Sequence, residues 1–214
     1  MTSSLRSAKK RAPLCLLLSL SLLYLASPAL ATSEGSEVIA EIERRYRTVT
    51  SISGEFNQVM PLEGMGITRE ARGVFYIKKP GKSRWEYAEP VRQVFIVNGE
   101  FLYFKKEKDE SFRETKISAH LIGIYNVLLG GEGNLPELFE FSRVETDGES
   151  YAKVELVPLE KLKRDVRRIV LTWNRKSKLV EELTIFSLTG TSNTLSFSRV
   201  EVNRPISSLL FRIQ

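Results

Sequence analysis

Along this 214-residue chain the spacing of apolar and polar positions changes period three times, and each change marks a change of element. Val38 or Ile39, Ile42, Tyr46 and Val49 recur at helical spacing, while Glu41, Glu43, Arg44, Arg45 and Arg47 fill the other side. With Ser33 or Ser36 as N-cap, this predicts an amphipathic helix that has one stripe to bury. After Ser53-Gly54 the pattern becomes short runs rich in aromatic and β-branched residues, broken by Gly, Pro and Asn. Strands are predicted at Ile52 to Met60, Thr68 to Lys78, Ser83 to Ala88, Arg92 to Val97, Glu100 to Lys105 and near Phe112 to Ile117. Asn98-Gly99 between them predicts a two-residue type I′ hairpin turn, with positive φ at both positions.

From Ser118 to Gly130 the period turns helical again, in SAHLIGIYNVLLG, and a glycine-rich break then precedes a short LPELFEF segment. Strands resume on either side of Asp147-Gly148, at Val166 to Trp173, at Leu179 to Ser187 and at Asn193 to Val202. Helix, meander, helical insert and meander make an α+β layout: one large antiparallel sheet with helices on one face or at one end.

The apolar residues are unevenly placed. Ten of the 20 aromatic residues lie between Phe56 and Phe112. In KKPGKSRWEYAEP the order Arg84, Trp85, Glu86, Tyr87 alternates charge with aromatic, so one face of that strand is greasy. Either the protein's own core or a carried ligand meets that face. Within Leu121 to Leu129 seven of nine residues are Leu, Ile, Tyr or Val, which covers far more than a helix's usual apolar stripe. Such a helix is a central core element, or a plug over an apolar hollow that a ligand pushes aside. The glycines of GGEGN just after it would supply a hinge.

The first 31 residues read as a cleaved secretory signal. Lys9, Lys10 and Arg11 form a positive start, Leu14 to Ala26 an apolar run of 13 residues, and Ala29-Leu30-Ala31 a cleavage site. That run is shorter than the roughly 20 residues a spanning helix needs. Residues 32–214 are then expected to be one soluble, monomeric domain. Cleavage removes four of the 32 Lys and Arg and none of the 26 Asp and Glu, leaving 28 against 26. A net charge of +2 does not read as a nucleic-acid binder. The only cysteine, Cys15, leaves with the signal, so no disulfide or thiol nucleophile is expected.

Catalytic chemistry has little to work with. His120 is the single histidine, in an apolar helical stretch, and reads as structural or surface. Neither a metal-ligand spacing nor a phosphate-binding glycine loop is present, so no metal or cofactor is expected. Glu86, Glu89 and Asp109 read as solvated charges and not as an acid/base pair. The chain does not read as an enzyme.

The order of short motifs resembles the outer-membrane lipoprotein carrier family, LolA. The motifs are FNQ at Phe56 to Gln58, Gly73 opening GVFYIKKPGKSRWEY, Pro90 before QVFIVNGEFLYF, LLGGEGNLPELFEF, and VNRPISSLLFRIQ. The resemblance implies an open, strongly curved antiparallel half-barrel whose concave apolar face is covered by helices. It implies a periplasmic chaperone for acylated lipoproteins, fed by an inner-membrane ABC transporter and emptied at an outer-membrane receptor or membrane acceptor. Carried over residue by residue, it implies a lipid-binding wall of Phe75, Ile77, Trp85, Tyr87, Phe95, Val97, Leu102 and Phe104. The lid's inward surface would be Leu121, Ile122, Tyr125, Leu128 and Leu129. Lys79 stands where members commonly have a lid-latching arginine, and as a point charge it would be less directional. Ser83 replaces a large apolar residue, which implies a thinner pocket wall, and the end at Gln214 implies altered receptor selection. The alternative is an acyl-sensing or interaction domain of the same half-barrel that regulates a partner; an outer-membrane β-barrel fits less well, because a helical insert interrupts its strands.

Overall fold

The computed structural model describes residues 29–62, 64, 66–116, 121–130, 135–148, 150–159 and 166–213. Side chains are described from Ser36 in the first helix and from Ile124 in the second. Helix α1 (Ala29–Arg47) leads into β1 (Ser51–Leu62), β2 (Ile67–Lys78), β3 (Lys82–Glu89), β4 (Gln93–Asn98), β5 (Phe101–Lys106) and β6 (Arg113–Lys116). The insert is α2 (Leu121–Gly130) followed by α3 (Leu135–Leu138). Then come β7 (Phe139–Asp147), β8 (Tyr151–Pro158), β9 (Val166–Asn174), β10 (Leu179–Ser187), β11 (Ser192–Val202) and a 3-10 turn, η1 (Ser208–Phe211).

All eleven described strands form one antiparallel sheet in the order β6-β5-β4-β3-β2-β1-β11-β10-β9-β8-β7. The two meanders are joined in the middle, where β1 pairs with β11 from Ile52↔Val202 to Val59↔Thr194. The insert separates β6 from β7, so these two strands become the sheet's edges and the sheet stays open. Bulges interrupt the register between Ser53 and Glu55, at Arg72/Gly73 and at Val180/Glu182, and each adds local bend and twist.

Burial divides the two faces. The main core joins Ile52, Phe56, Phe75 and Trp85 of one half with Val154, Ile169, Leu171 and Leu183 of the other, and α1 and α2 cover it. Helix α1 lies toward β7 and β8, whereas α2 lies over β1 and β2. The α1 stripe is as expected: Val38, Ile39, Ile42 and Tyr46 are buried. Tyr46 seats against Trp173 at 6.3 Å between ring centroids and its hydroxyl accepts from Val180 N at 3.1 Å. That burial pushes the Tyr46 hydroxyl pKa up to about 12.

Three local expectations are corrected. Ser33 and Ser36 lie within α1, which already starts at Ala29, so neither caps it. The hairpin after β4 turns on Gly99 and Glu100, because Asn98 still pairs with Phe101. Only Gly99 there has positive φ, at 65°, the pattern of a type II′ turn. LPELFEF does not remain one short segment: its first four residues form α3, and Phe139 begins β7 directly. Ile117, His120, Gly131 and Gly133, including most of the expected hinge, lie outside the described residues.

On the opposite face a small separate apolar site forms. Ile96 of β4 and Phe211 of η1 are both buried, and η1 lies against β3 and β4. Arg84 Nη1 donates to Leu210 O at 2.9 Å, and Lys78 Nζ donates to Ile206 O at 2.7 Å. These two strand cations hold the C-terminal segment across the convex side.

Candidate functional site

Strand register brings the eight wall residues to one face. Phe75, Trp85, Phe95 and Phe104 are direct cross-strand partners from β2 to β5. Ile77, Ser83, Val97 and Leu102 form the next row, and Gly73 with Tyr87 the row on the other side. Direct partners share a face, and residues two apart in a strand share it too. Phe75, Ile77, Trp85, Tyr87, Phe95, Val97, Leu102 and Phe104 therefore all lie on the face that the helices cover.

Their rings form a continuous ridge. Phe75 stacks on Trp85 at 5.1 Å and Phe95 on Phe104 at 4.7 Å, while Tyr87 meets Phe95 edge-on at 5.6 Å. Phe56 joins the two ends, 5.4 Å from Trp85 and 4.9 Å from Tyr87. The ridge also has a gradient. Phe75 and Trp85 are buried, whereas Tyr87, Phe95 and Phe104 are half-buried toward the β5 and β6 edge. Tyr87, with its hydroxyl in this apolar setting, has its pKa pushed up to about 12 by burial.

Gly73 makes the ridge possible. A Cβ there would sit 2.0 Å from Glu86 O and 2.9 Å from Phe56 Cε1, so only glycine lets Phe56 lie across this row. Phe56 and Phe197 are wall residues that the sequence reading did not name. FNQ marks Phe56 as a motif member, but its position on the wall follows from pairing with Gly73 and Phe197, a long-range register.

Helix α2 closes the ridge from above. Ile124, Tyr125, Leu128 and Leu129 are buried, and the Tyr125 ring lies 5.5 Å from Trp85. The side chains of Leu121 and Ile122 lie outside the described residues. Tyr125, Leu128 and Leu129 thus sit as the inward surface of α2, with Ile124 an addition. A polar relay crosses the same contact: Asn193 Nδ2 donates to Tyr125 OH at 3.0 Å, and Gln58 Nε2 donates to Asn193 Oδ1 at 2.9 Å. Burial, and then the charge Tyr87 would carry, raise the Tyr125 pKa above its usual value. The buried side chains of α2 lie directly on the Trp85 end of the ridge, so anything bound at that end must displace them.

Lys79 Nζ donates to Tyr46 O at 2.6 Å, in the last turn of α1, where a cation meets the negative end of the helix dipole; the same carbonyl also accepts from Val49 N at 3.2 Å. Asn203, of the late Asn-x-Pro, clips the following connection: Thr50 N donates to its Oδ1 at 2.8 Å and its Nδ2 donates to Thr48 O at 3.2 Å. Glu86, Glu89 and Asp109 each face an arginine, Glu86 with Arg84, Glu89 with Arg72, and Asp109 with Arg113 at 3.2 Å. A backbone hydrogen bond from Lys106, helped by Arg113, holds Asp109 below the usual carboxylate range.

A groove of about 610 Å³ is lined by Glu145, Lys153, Thr172, Glu182 and Ser196, and Phe197 also reaches it. The first five form one cross-strand row of opposite parity to the core, so the groove opens on the convex face. Among the described residues no group of three or more His, Cys, Asp or Glu is arranged to hold a metal. None of the described helices is long and apolar enough to cross a membrane.

An open, curved antiparallel sheet with helices over its apolar face is the fold class of this chain. The family model described as "Outer membrane lipoprotein carrier protein LolA" matches residues 47–214, and the chain belongs to that family. An outer-membrane lipoprotein carrier protein of Alkalilimnicola ehrlichii is 35% identical over 127 residues, covering 59% of this chain and 58% of that protein. One from Coxiella burnetii is 24% identical over 200 residues, covering 92% of this chain and 91% of its own. A crystal structure of an uncharacterized conserved protein from Thermus thermophilus shares the fold, with TM-score 0.53 at 8% identity, over 85% of this chain and 94% of that one.

Proposed function

We propose that residues 1–31 are removed on export and that residues 32–214 act in the periplasm as a single-domain, monomeric lipoprotein carrier. In this reading the concave ridge takes up the acyl chains of lipoproteins released by an inner-membrane ABC transporter and yields them to an outer-membrane receptor or membrane acceptor, without covalent chemistry. The observation that carries it is the aromatic ridge running unbroken from Trp85 under α2 to half-buried Phe104 on β5, next to the edge strand. Family membership supports the same cargo class.

Energetics favour exchange over permanent storage. Burying a 16-carbon chain contributes about 12 kcal/mol at roughly 0.8 kcal/mol per methylene. Withdrawing Ile124, Tyr125, Leu128 and Leu129 from the ridge costs about 6–12 kcal/mol on the same scale. For one chain the two are comparable, so α2 and a single acyl chain compete for one surface on near-equal terms.

The test is transfer. Purified exported protein, incubated with inner-membrane vesicles carrying the releasing transporter and a triacylated lipoprotein, is expected to yield a soluble stoichiometric complex. No complex, in a preparation where an established carrier forms one, would overturn the reading.

A further inference from the structure

The floor of the concave face is not uniformly apolar. Ser83 is 0% exposed and Trp85 is 1% exposed, yet Ser83 Oγ and Trp85 Nε1 have no hydrogen-bond partner. They are two apart in β3, so they sit on the same face about 6.6 Å from each other along the strand. Their cross-strand rows are Ile52, Ile77, Val97 and Leu102 on one side and Gly54, Phe75, Phe95 and Phe104 on the other. Between β1 and β5 neither row carries a charge or any other polar side chain.

A buried donor left unpaired costs about 1–3 kcal/mol, and native cores pair nearly all of them. An ordinary core would place alanine or valine at position 83 and avoid that cost. Trp173 Nε1 also lacks a partner, but it lies beneath α1 against Tyr46, and its cross-strand neighbours Ala152 and Val180 bring no second donor. At Ser83 and Trp85 two such donors fall on the same face of one strand, below the helix that a ligand at this end must displace.

We propose that Ser83 and Trp85 form a carbonyl-reading subsite: a ligand's acyl carbonyl oxygens accept hydrogen bonds from Ser83 Oγ and Trp85 Nε1. This rests on the acyl-binding reading above and specifies the chemical class, neutral chains joined through an ester or amide. Indole N–H is a donor only, so the ligand must bring the acceptor. A free carboxylate is disfavoured, because no cation on these rows would compensate its desolvation. An ether-linked chain offers equal grease and a poorer acceptor.

The experiment titrates the purified exported protein with 1,2-dioctanoylglycerol and with its 1,2-dioctyl diether. The ester is expected to bind about tenfold more tightly, corresponding to one to two neutral hydrogen bonds of about 1 kcal/mol each. Ser83→Ala should reduce that preference to about threefold or less while leaving diether affinity unchanged, and it should raise the melting temperature of the ligand-free protein. A second readout needs no variant: the indole N–H proton resonance of Trp85 moves downfield with the ester and not with the diether, with Trp173 as the unmoved internal control. Equal affinities with an unmoved Trp85 resonance overturn the subsite and leave acyl binding standing. If neither lipid binds, both readings fall together.

Discussion

At Gly73 a single missing methyl group sets the shape of the wall. The space its Cβ would need is taken by the backbone carbonyl of Glu86, which no rotamer change can clear, as well as by the Phe56 ring. Gly73→Ala is expected to cost about 1–3 kcal/mol by overpacking, read as a lower urea midpoint, and to blunt acyl binding because Phe56 must retreat. Unchanged midpoint and binding would show that the strands absorb the methyl. Tyrosines give a second residue-level prediction, with a definite sign. Tyr46 and Tyr87 titrate near 12 when folded and near 10 when unfolded, so the unfolded chain loses their protons first. Stability is fully present below pH 10 and falls as pH rises from 10 toward 12, by up to about 1.4 kcal/mol per pH unit for each tyrosine. Tyr87→Phe should flatten that fall in denaturant titrations run at pH 9 to 12; an identical slope would mean that Tyr87 ionises freely in the fold. At this scale the sequence was legible in parity more than in partners. Alternation in RWEY put Trp85 and Tyr87 on one face, and the register bears that out. The bond from Lys79 to the end of α1 was not legible, because a lysine before a proline says nothing about which helix terminus lies 33 residues upstream in space.

Among the elements, α2 is the one whose composition announced its position. Seven apolar residues in nine demanded burial nearly all round, and every one of Ile124, Tyr125, Leu128 and Leu129 is buried. Composition did not reveal how it is fastened. The relay from Gln58 through Asn193 to Tyr125 spans β1, β11 and α2, and such a contact between distant chain segments leaves no local signature. Turn chemistry was read one residue early for a similar reason. Asn98-Gly99 looks like a turn pair in isolation, but Asn98 has a cross-strand partner in Phe101. Leu128→Glu separates the lid from the core helix. Leu128 is 2% exposed, and a carboxylate there is desolvated unless α2 swings out. The expected outcome is at least tenfold faster release of a fluorescent acyl ligand in stopped-flow, with the sheet still melting in one cooperative transition at a lower temperature. A collapse of the melting transition instead would assign α2 to the core permanently.

At the scale of the whole molecule, the two faces of one sheet pack different elements, the helices on one side and η1 on the other. The order of apolar runs was enough to expect a large antiparallel sheet with helices gathered on one face, and eleven strands in one open sheet agree. What the runs did not disclose was the assignment of the C-terminal segment. VNRPISSLLFRIQ served as a family marker, whereas in the fold it crosses the convex side and buries Phe211, with Arg84 and Lys78 donating to its carbonyls. Both cations belong to strands whose alternate residues build the ridge, so β2 and β3 are gripped from outside and greased inside. Ile96 and Phe211 stand apart from the main core cluster, which makes the two sites physically separate across the sheet. Effects on separate sites add, whereas effects on a shared one do not. Phe211→Ala is therefore expected to lower stability by about 3–5 kcal/mol through the cavity it leaves at 2% exposure, and to leave acyl affinity within twofold in the fraction that stays folded. Combined with Leu128→Glu, its stability loss should add and the faster release should persist unchanged. A double variant whose release rate departs from that of Leu128→Glu alone would show that the convex strap and the concave lid are coupled through the curvature of β3 and β4, and the two faces would then have to be treated as one site.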